Sequence, residues 1–325
     1  MKKSVLCILI TTFSLTACAK PNTEHTSATD TPIPSSAEIN DPVLKQQVQQ
    51  LLEKTKKELI FVKGGTYMMG DFGEVHSPDH LNYDSHKDSS PMHKVRVDDF
   101  SLSASKATYA DLDVYTAATG QKKVGVFDQI SIRRRIPEIA AGVNWQQARS
   151  YCQWLGQQIG RKMDLPTEAQ WEYAARNRGK YILYPTNNGK IEDGKNIQNL
   201  EQMYDFSAKY KIVSRVAVLK QFPATAMGFY DLVNNNYEWM LDWYDPKYYS
   251  HSPVDNPKGP AKGTLRTVRS AVPADGENLA FVAGFTFSRK GIDPIADPKF
   301  IKSAVESGYL LDYNSENSVR CAANP

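Results

Sequence analysis

Two cysteines and a histidine-rich stretch offer the most legible chemistry in this chain. Thiols bind soft metals, attack electrophiles or pair as disulfides. Cys152 and Cys321 have no close cysteine neighbour, so neither belongs to a Cys-x-x-Cys redox centre. In an oxidising compartment an even pair reads as a disulfide, the alternative being two buried free thiols. In the chain-entropy model such a link is worth about 5 kcal/mol. His76, His80, His86 and His93 lie among Asp79, Asp84 and Asp88, and imidazole with carboxylate can bind zinc or iron. His76 and His80 are four apart, as on a helix face, but Pro78 stands between them in a Ser-, Asp- and Asn-rich run. The run reads as a polar loop, with His76, His80 and His86 a weak alternative metal set. Arg133-Arg134-Arg135, a tight basic run, reads as a solvated charged loop.

The other two cysteines belong to the N-terminus. Lys2 and Lys3 precede an apolar stretch from Val5 to Leu15, the layout of a secretory signal. Leu15-Thr16-Ala17-Cys18 follows and resembles the bacterial lipobox. There a peptidase cuts before the cysteine, whose thiol carries the lipid. Residues 1–17 are thus expected to be a lipoprotein signal peptide that removes Cys7, and Cys18 the lipidation site. Ala19 rather than Asp follows the cysteine, and the resemblance to enterobacterial lipoproteins then implies the outer membrane, facing the periplasm or the cell surface. Residues 18–40, rich in Pro, Thr, Ser and Asn, are too poor in apolar side chains to offset ordering entropy and read as a tether.

Composition narrows the rest. The 325 residues include 39 Lys plus Arg and 36 Asp plus Glu, so the formal charge of +3 gives no case for a nucleic-acid partner. With 12 Phe, 17 Tyr and 5 Trp the chain has material for a real core. No apolar run of about 20 residues follows the N-terminus.

Several segments are expected to position the chemistry. Asp41-Pro42 reads as an N-cap with proline at the first helical position, opening a helix over 41–57 that packs on the domain through Leu44, Val48, Leu51 and Leu52. Phe61 to Gly70 alternates apolar residues around Gly64-Gly65 and predicts a β-hairpin. Asn144 caps a helix whose Trp145, Ala148, Tyr151, Cys152 and Leu155 share one face. Thr167 and Gln170 form a capping box for a helix through Arg176. A last block runs from Gly228 through Trp239 to Asp242-Trp243-Tyr244.

In this order, and with the closing Ser318-Val319-Arg320-Cys321-Ala322-Ala323, these blocks resemble the formylglycine-generating enzyme, or sulfatase-modifying factor, family across residues 58–325. The resemblance implies an α+β fold, a variant of the C-type lectin fold with much irregular loop. It also implies a disulfide between Cys152 and Cys321. A structural Ca²⁺ follows by the same resemblance, held by the Asp231 and Glu238 side chains and the Asn234 and Asn236 carbonyls. Asn234 stands where the family has glycine, and asparagine enters the left-handed region readily.

The resemblance stops at the chemistry. Enzymes of this family use two cysteines to bind copper and activate oxygen. Here no cysteine lies between Cys152 and Cys321, and the family's "RGGSW" is matched by Arg269-Ser270-Ala271-Val272-Pro273. No copper, and no formylglycine-generating activity, is expected. The leading expectation is a membrane-tethered pseudoenzyme that binds a protein partner, as a secretion-system accessory or regulator or a toxin-immunity protein. Its binding face would comprise Asp71–Pro91 and Ala271–Lys290. The alternatives are a metal-dependent oxidoreductase of altered chemistry and a calcium-dependent glycan binder.

Overall fold

A computed structural model describes residues 39–126, 135–212, 216–270, 284–295 and 316–325. The signal segment, Cys18, residues 18–38 of the tether, Arg133 and Arg134, and residues 271–283 of the expected binding face lie outside the described residues.

The first helix, α1 (Pro42–Glu58), opens as its sequence dictates. The Asp41 side chain accepts a hydrogen bond from Val43 N at 2.8 Å, and Pro42 occupies the first turn where no N–H is needed. Val48 and Leu51 are buried in the main core. The helix runs straight into strand β1 (Leu59–Val62), so no linker separates it from the domain. Among the described residues no helix is long and apolar enough to cross a membrane.

The expected hairpin over Phe61–Gly70 does not form. Strand β1 pairs antiparallel with β4 (Phe100–Ser103), Leu59 opposite Ser103 and Val62 opposite Phe100. Strand β2 (Gly65–Met69) pairs instead with β3 (His93–Val97), in a different sheet. Gly64 is where the chain crosses between the two. Its N–H donates to Asp99 Oδ1 at 2.8 Å, and a Cβ there would sit 2.4 Å from the Val97 carbonyl oxygen. Glycine is needed for that close approach rather than for a two-residue turn.

Strand β1 lies at the edge of a four-stranded sheet ordered β1-β4-β10-β5, where β5 is Lys162–Asp164 and β10 is Ala322–Asn324. Helix α4 (Trp145–Ile159) packs against it, capped by an Asn144–Gln147 capping box and stopped by left-handed Gly160. Its apolar face enters the core as the 3.6-residue period requires. Cys152 on that face is joined to Cys321, immediately before β10, as expected.

A third sheet, ordered β8-β7-β6-β9, carries the C-terminal motifs. Strand β6 is Tyr237–Trp243, β7 is Arg266–Arg269, β8 is Lys290–Ile292 and β9 is Asn317–Ser318. The β6–β7 pairing is antiparallel with a register shift between Trp239 and Trp243, while β9 joins β6 in parallel. The end of β7 and the start of β8 therefore lie side by side, Val268 opposite Lys290. The fold is α+β, as expected.

Candidate functional site

Two arrangements meet at the end of β7: a buried cation centre and a cleft above it. The centre begins with Lys106, between β4 and helix α3 (Tyr109–Ala118), which Thr108 and Asp111 cap reciprocally. The Lys106 side chain is completely buried. Its Nζ donates to the backbone carbonyls of Asn234, Asn235 (2.8 Å) and Asn236 (2.6 Å), and lies 3.3 Å from Ser270 Oγ. Three ammonium hydrogens thus meet three carbonyls and one hydroxyl. Glu238 Oε1 stands 3.7 Å away.

The loop achieves this convergence through left-handed residues. Asp231, Asn235 and Asn236 have φ of 57°, 59° and 79°, turning successive carbonyls inward. Asn234, expected to take the left-handed conformation, does not; its two successors do. Asp231 serves the loop itself, its Oδ2 accepting from Lys220 N and its Oδ1 from Asn235 Nδ2, each at 2.9 Å. The Glu238 carboxylate is forked by Arg320 and also accepts from Trp171 Nε1 at 2.7 Å. Burial pulls the Lys106 pKa down from 10.5 to about 8, against the upward pull of Glu238. The three carbonyl acceptors of Lys106 call for the ammonium form, which alone has three hydrogens to donate. Burial likewise raises the Asp231 carboxyl, partly offset by the Lys220 N–H.

Of the four residues expected to hold calcium, the structure brings Asn234, Asn236 and Glu238 around one point, while the Asp231 carboxylate is hydrogen-bonded to Lys220 N and Asn235 Nδ2. What the three surround is a side-chain ammonium. The donor set has the chemistry of a cation site, but its carboxylates are committed to neighbouring donors.

Above this centre lies a cleft of about 410 Å³ lined in part by Asp84, His86, Asp88, Tyr244, Ser270 and Arg289. Tyr244 donates to Asp88 Oδ2 at 2.6 Å, leaving Asp88 Oδ1 buried without a hydrogen-bond partner. His86 Nδ1 is 2.9 Å from Asp84 Oδ1, and that hydrogen bond and the Asp84 charge raise the imidazole pKa. Beneath the cleft, helix α5 (Glu168–Ala175) supplies two buried carboxylates one turn apart. Glu168 accepts from Arg289 through both oxygens, at 2.7 and 2.9 Å, and Glu172 from Arg269 and Arg176. Burial alone would raise the Glu168 pKa, yet the Arg289 and Arg269 guanidiniums outweigh it and hold it low.

The histidines do not converge. Short helix α2 (Gly73–His76) ends before Pro78, so His76 and His80 do not share a helix face. His76 lies against the Tyr181 ring at 3.9 Å, His80 Nδ1 reaches the Glu74 carbonyl at 3.2 Å, and His86 pairs with Asp84. Among the described residues no group of three His, Cys, Asp or Glu side chains could hold a metal ion. Arg135 is not a solvated charge: its Nε donates to the Val124 carbonyl at 2.6 Å and its guanidinium pairs with Asp113.

The two described parts of the expected binding face do meet. Phe72 from the first segment packs with Phe285 and Phe287 from the second, joined by Tyr83, Met92, Leu183 and Tyr184. Lys106 is the residue of this centre that the sequence reading missed. A lysine between small residues just before an N-cap threonine is a weak local signal, and its partners lie 128 to 130 positions away.

The model of the sulfatase-modifying factor enzyme 1-like domain matches residues 45–317. The chain belongs to this family. The match starts inside α1, in keeping with that helix packing as part of the domain. A formylglycine-generating enzyme of Streptomyces coelicolor is 27% identical over 63% of this chain and 75% of its own length. The serine/threonine-protein kinase pkn1 of Chlamydia caviae is 25% identical over 71% of this chain, which spans 36% of the kinase. The solved structure of PvdO from Pseudomonas aeruginosa shares the fold, with a TM-score of 0.58 and 21% identity over 82% of this chain and 94% of that one.

Proposed function

We propose that this chain is a lipid-tethered, non-catalytic member of the family that binds a protein partner through the face built by Asp71–Pro91 and the segment ending at Lys290. The observation that carries the reading is the fate of the thiols. The two cysteines beyond the N-terminal segment are consumed in one disulfide, and the family's glycine-rich motif is replaced by Arg269-Ser270-Ala271-Val272-Pro273. No thiolate is then left to bind copper or attack a substrate.

The face has the makings of an interaction surface. Val75 and Leu81 are 53% and 67% exposed on a segment anchored from within by aromatic packing and by Asp71, which accepts from Gly73 N and Asp84 N. The match to part of a protein kinase is consistent with a domain that operates as a module. The Leu15-Thr16-Ala17-Cys18 sequence supports an outer-membrane lipid anchor.

The test is extraction of C-terminally tagged protein from membranes in mild detergent, followed by mass spectrometry and metal analysis. A protein partner near one per chain supports the proposal. A secretion component or kinase would mark a regulator, and a toxin an immunity protein. Iron, copper or zinc near one per chain without a partner would sink it and favour altered enzymology.

A further inference from the structure

We propose that the Lys106 ammonium is the resident cation of the 231–238 loop, built into the chain, and that this domain therefore needs no calcium there. Three consecutive carbonyls, from Asn234, Asn235 and Asn236, converge on Nζ inside a region closed to solvent. A run of carbonyls aimed at one buried point needs donors or a cation to satisfy it, because unpaired buried carbonyls are costly, and the lysine ammonium supplies both a charge and three donors. Calcium would meet that need with six to eight oxygens. Here the remaining oxygens are committed elsewhere. Both Glu238 oxygens accept from Arg320, and the Asp231 oxygens accept from Lys220 N and Asn235 Nδ2. A divalent ion would also have to displace a buried ammonium of like charge from the same point.

The consequence reaches the cleft. Ser270, left-handed with φ of 71°, lines the cleft and lies 3.3 Å from Lys106 Nζ and 3.4 Å from the Asn234 carbonyl. Lys106 is thus a positioning residue for the cleft floor, and it leaves that floor independent of the ion content of the compartment.

The test uses terbium as the calcium probe. Trp171 donates to Glu238 at 2.7 Å, so an ion bound in this loop would be excited through its indole. The wild-type protein is expected to give no sensitised terbium emission and the same melting temperature in millimolar calcium as in chelator. Lys106→Ala is expected to melt several degrees lower in chelator, to recover part of the loss in calcium and to show terbium emission. Wild-type emission saturating near one ion per chain, or a calcium-dependent rise in its melting temperature, would overturn the proposal. So would Lys106→Ala melting in chelator like wild type. If that variant does not fold, the wild-type titration decides alone.

Discussion

Arg320 grips the Glu238 carboxylate with two parallel hydrogen bonds, Nε to Oε2 and Nη2 to Oε1, both at 2.9 Å and both fully buried. The same guanidinium donates to the carbonyls of Ser103 and Tyr230, at 2.8 and 2.7 Å. One C-terminal residue thereby ties the end of β4 to the turn before the Lys106 loop and to the head of β6.

Removing one charge from this centre should therefore be severe. Glu238→Gln leaves Arg320 and Lys106 buried with less compensation, and breaking a buried pair costs about 3 to 5 kcal/mol. Urea unfolding monitored by tryptophan fluorescence would show the midpoint lowered with the slope unchanged, the shift multiplied by the slope giving a loss of about 3 to 5 kcal/mol.

Much of this architecture is legible in the sequence where a local rule decides it. Asp41-Pro42, Asn144 and Thr167 open helices as their types require. The Cys152–Cys321 link follows from cysteine count, the oxidising compartment expected from the N-terminal sequence, and family resemblance. The Gly64-Gly65 step misleads because alternation around paired glycines looks alike whether the strands pair with each other or with distant partners. The same limit hides Lys106, whose meaning is set by a loop far along the chain.

The disulfide supports a second prediction. Replacing Cys152 and Cys321 together by serine frees a loop of 169 residues in the unfolded chain. The expected cost is about 2 to 5 kcal/mol. Thermal melts of the double variant and of reduced wild type would both fall; equal melting of all three forms would contradict the link.

Asp242 predicts a pH dependence. Burial, followed by the neighbouring Glu168 charge, raises its carboxyl from 3.8 to about 7. The folded state thus holds a proton that the unfolded chain has released between about pH 4 and 7, so this group makes stability fall as pH rises through that window. Asp242→Asn keeps an oxygen to accept from Glu168 N and removes the titration. Its urea stability plotted against pH should be flatter than wild type across the window.

The proposed anchor has its own test. Cys18→Ser should abolish incorporation of labelled palmitate and move the protein from the detergent phase to the aqueous phase on phase separation. Unchanged labelling would place the lipid on another residue.

The most direct test of the binding role compares partner stoichiometry for wild type and the pair Val75→Asp with Leu81→Asp. Both positions are exposed, so the variant should melt within about 2 °C of wild type. Quantitative mass spectrometry of the detergent-extracted protein should find a partner near one per chain with wild type and at least tenfold less with the variant. Equal recovery from both would contradict binding through this face, and a partner-free wild type carrying a redox metal near one per chain would contradict the non-catalytic role itself.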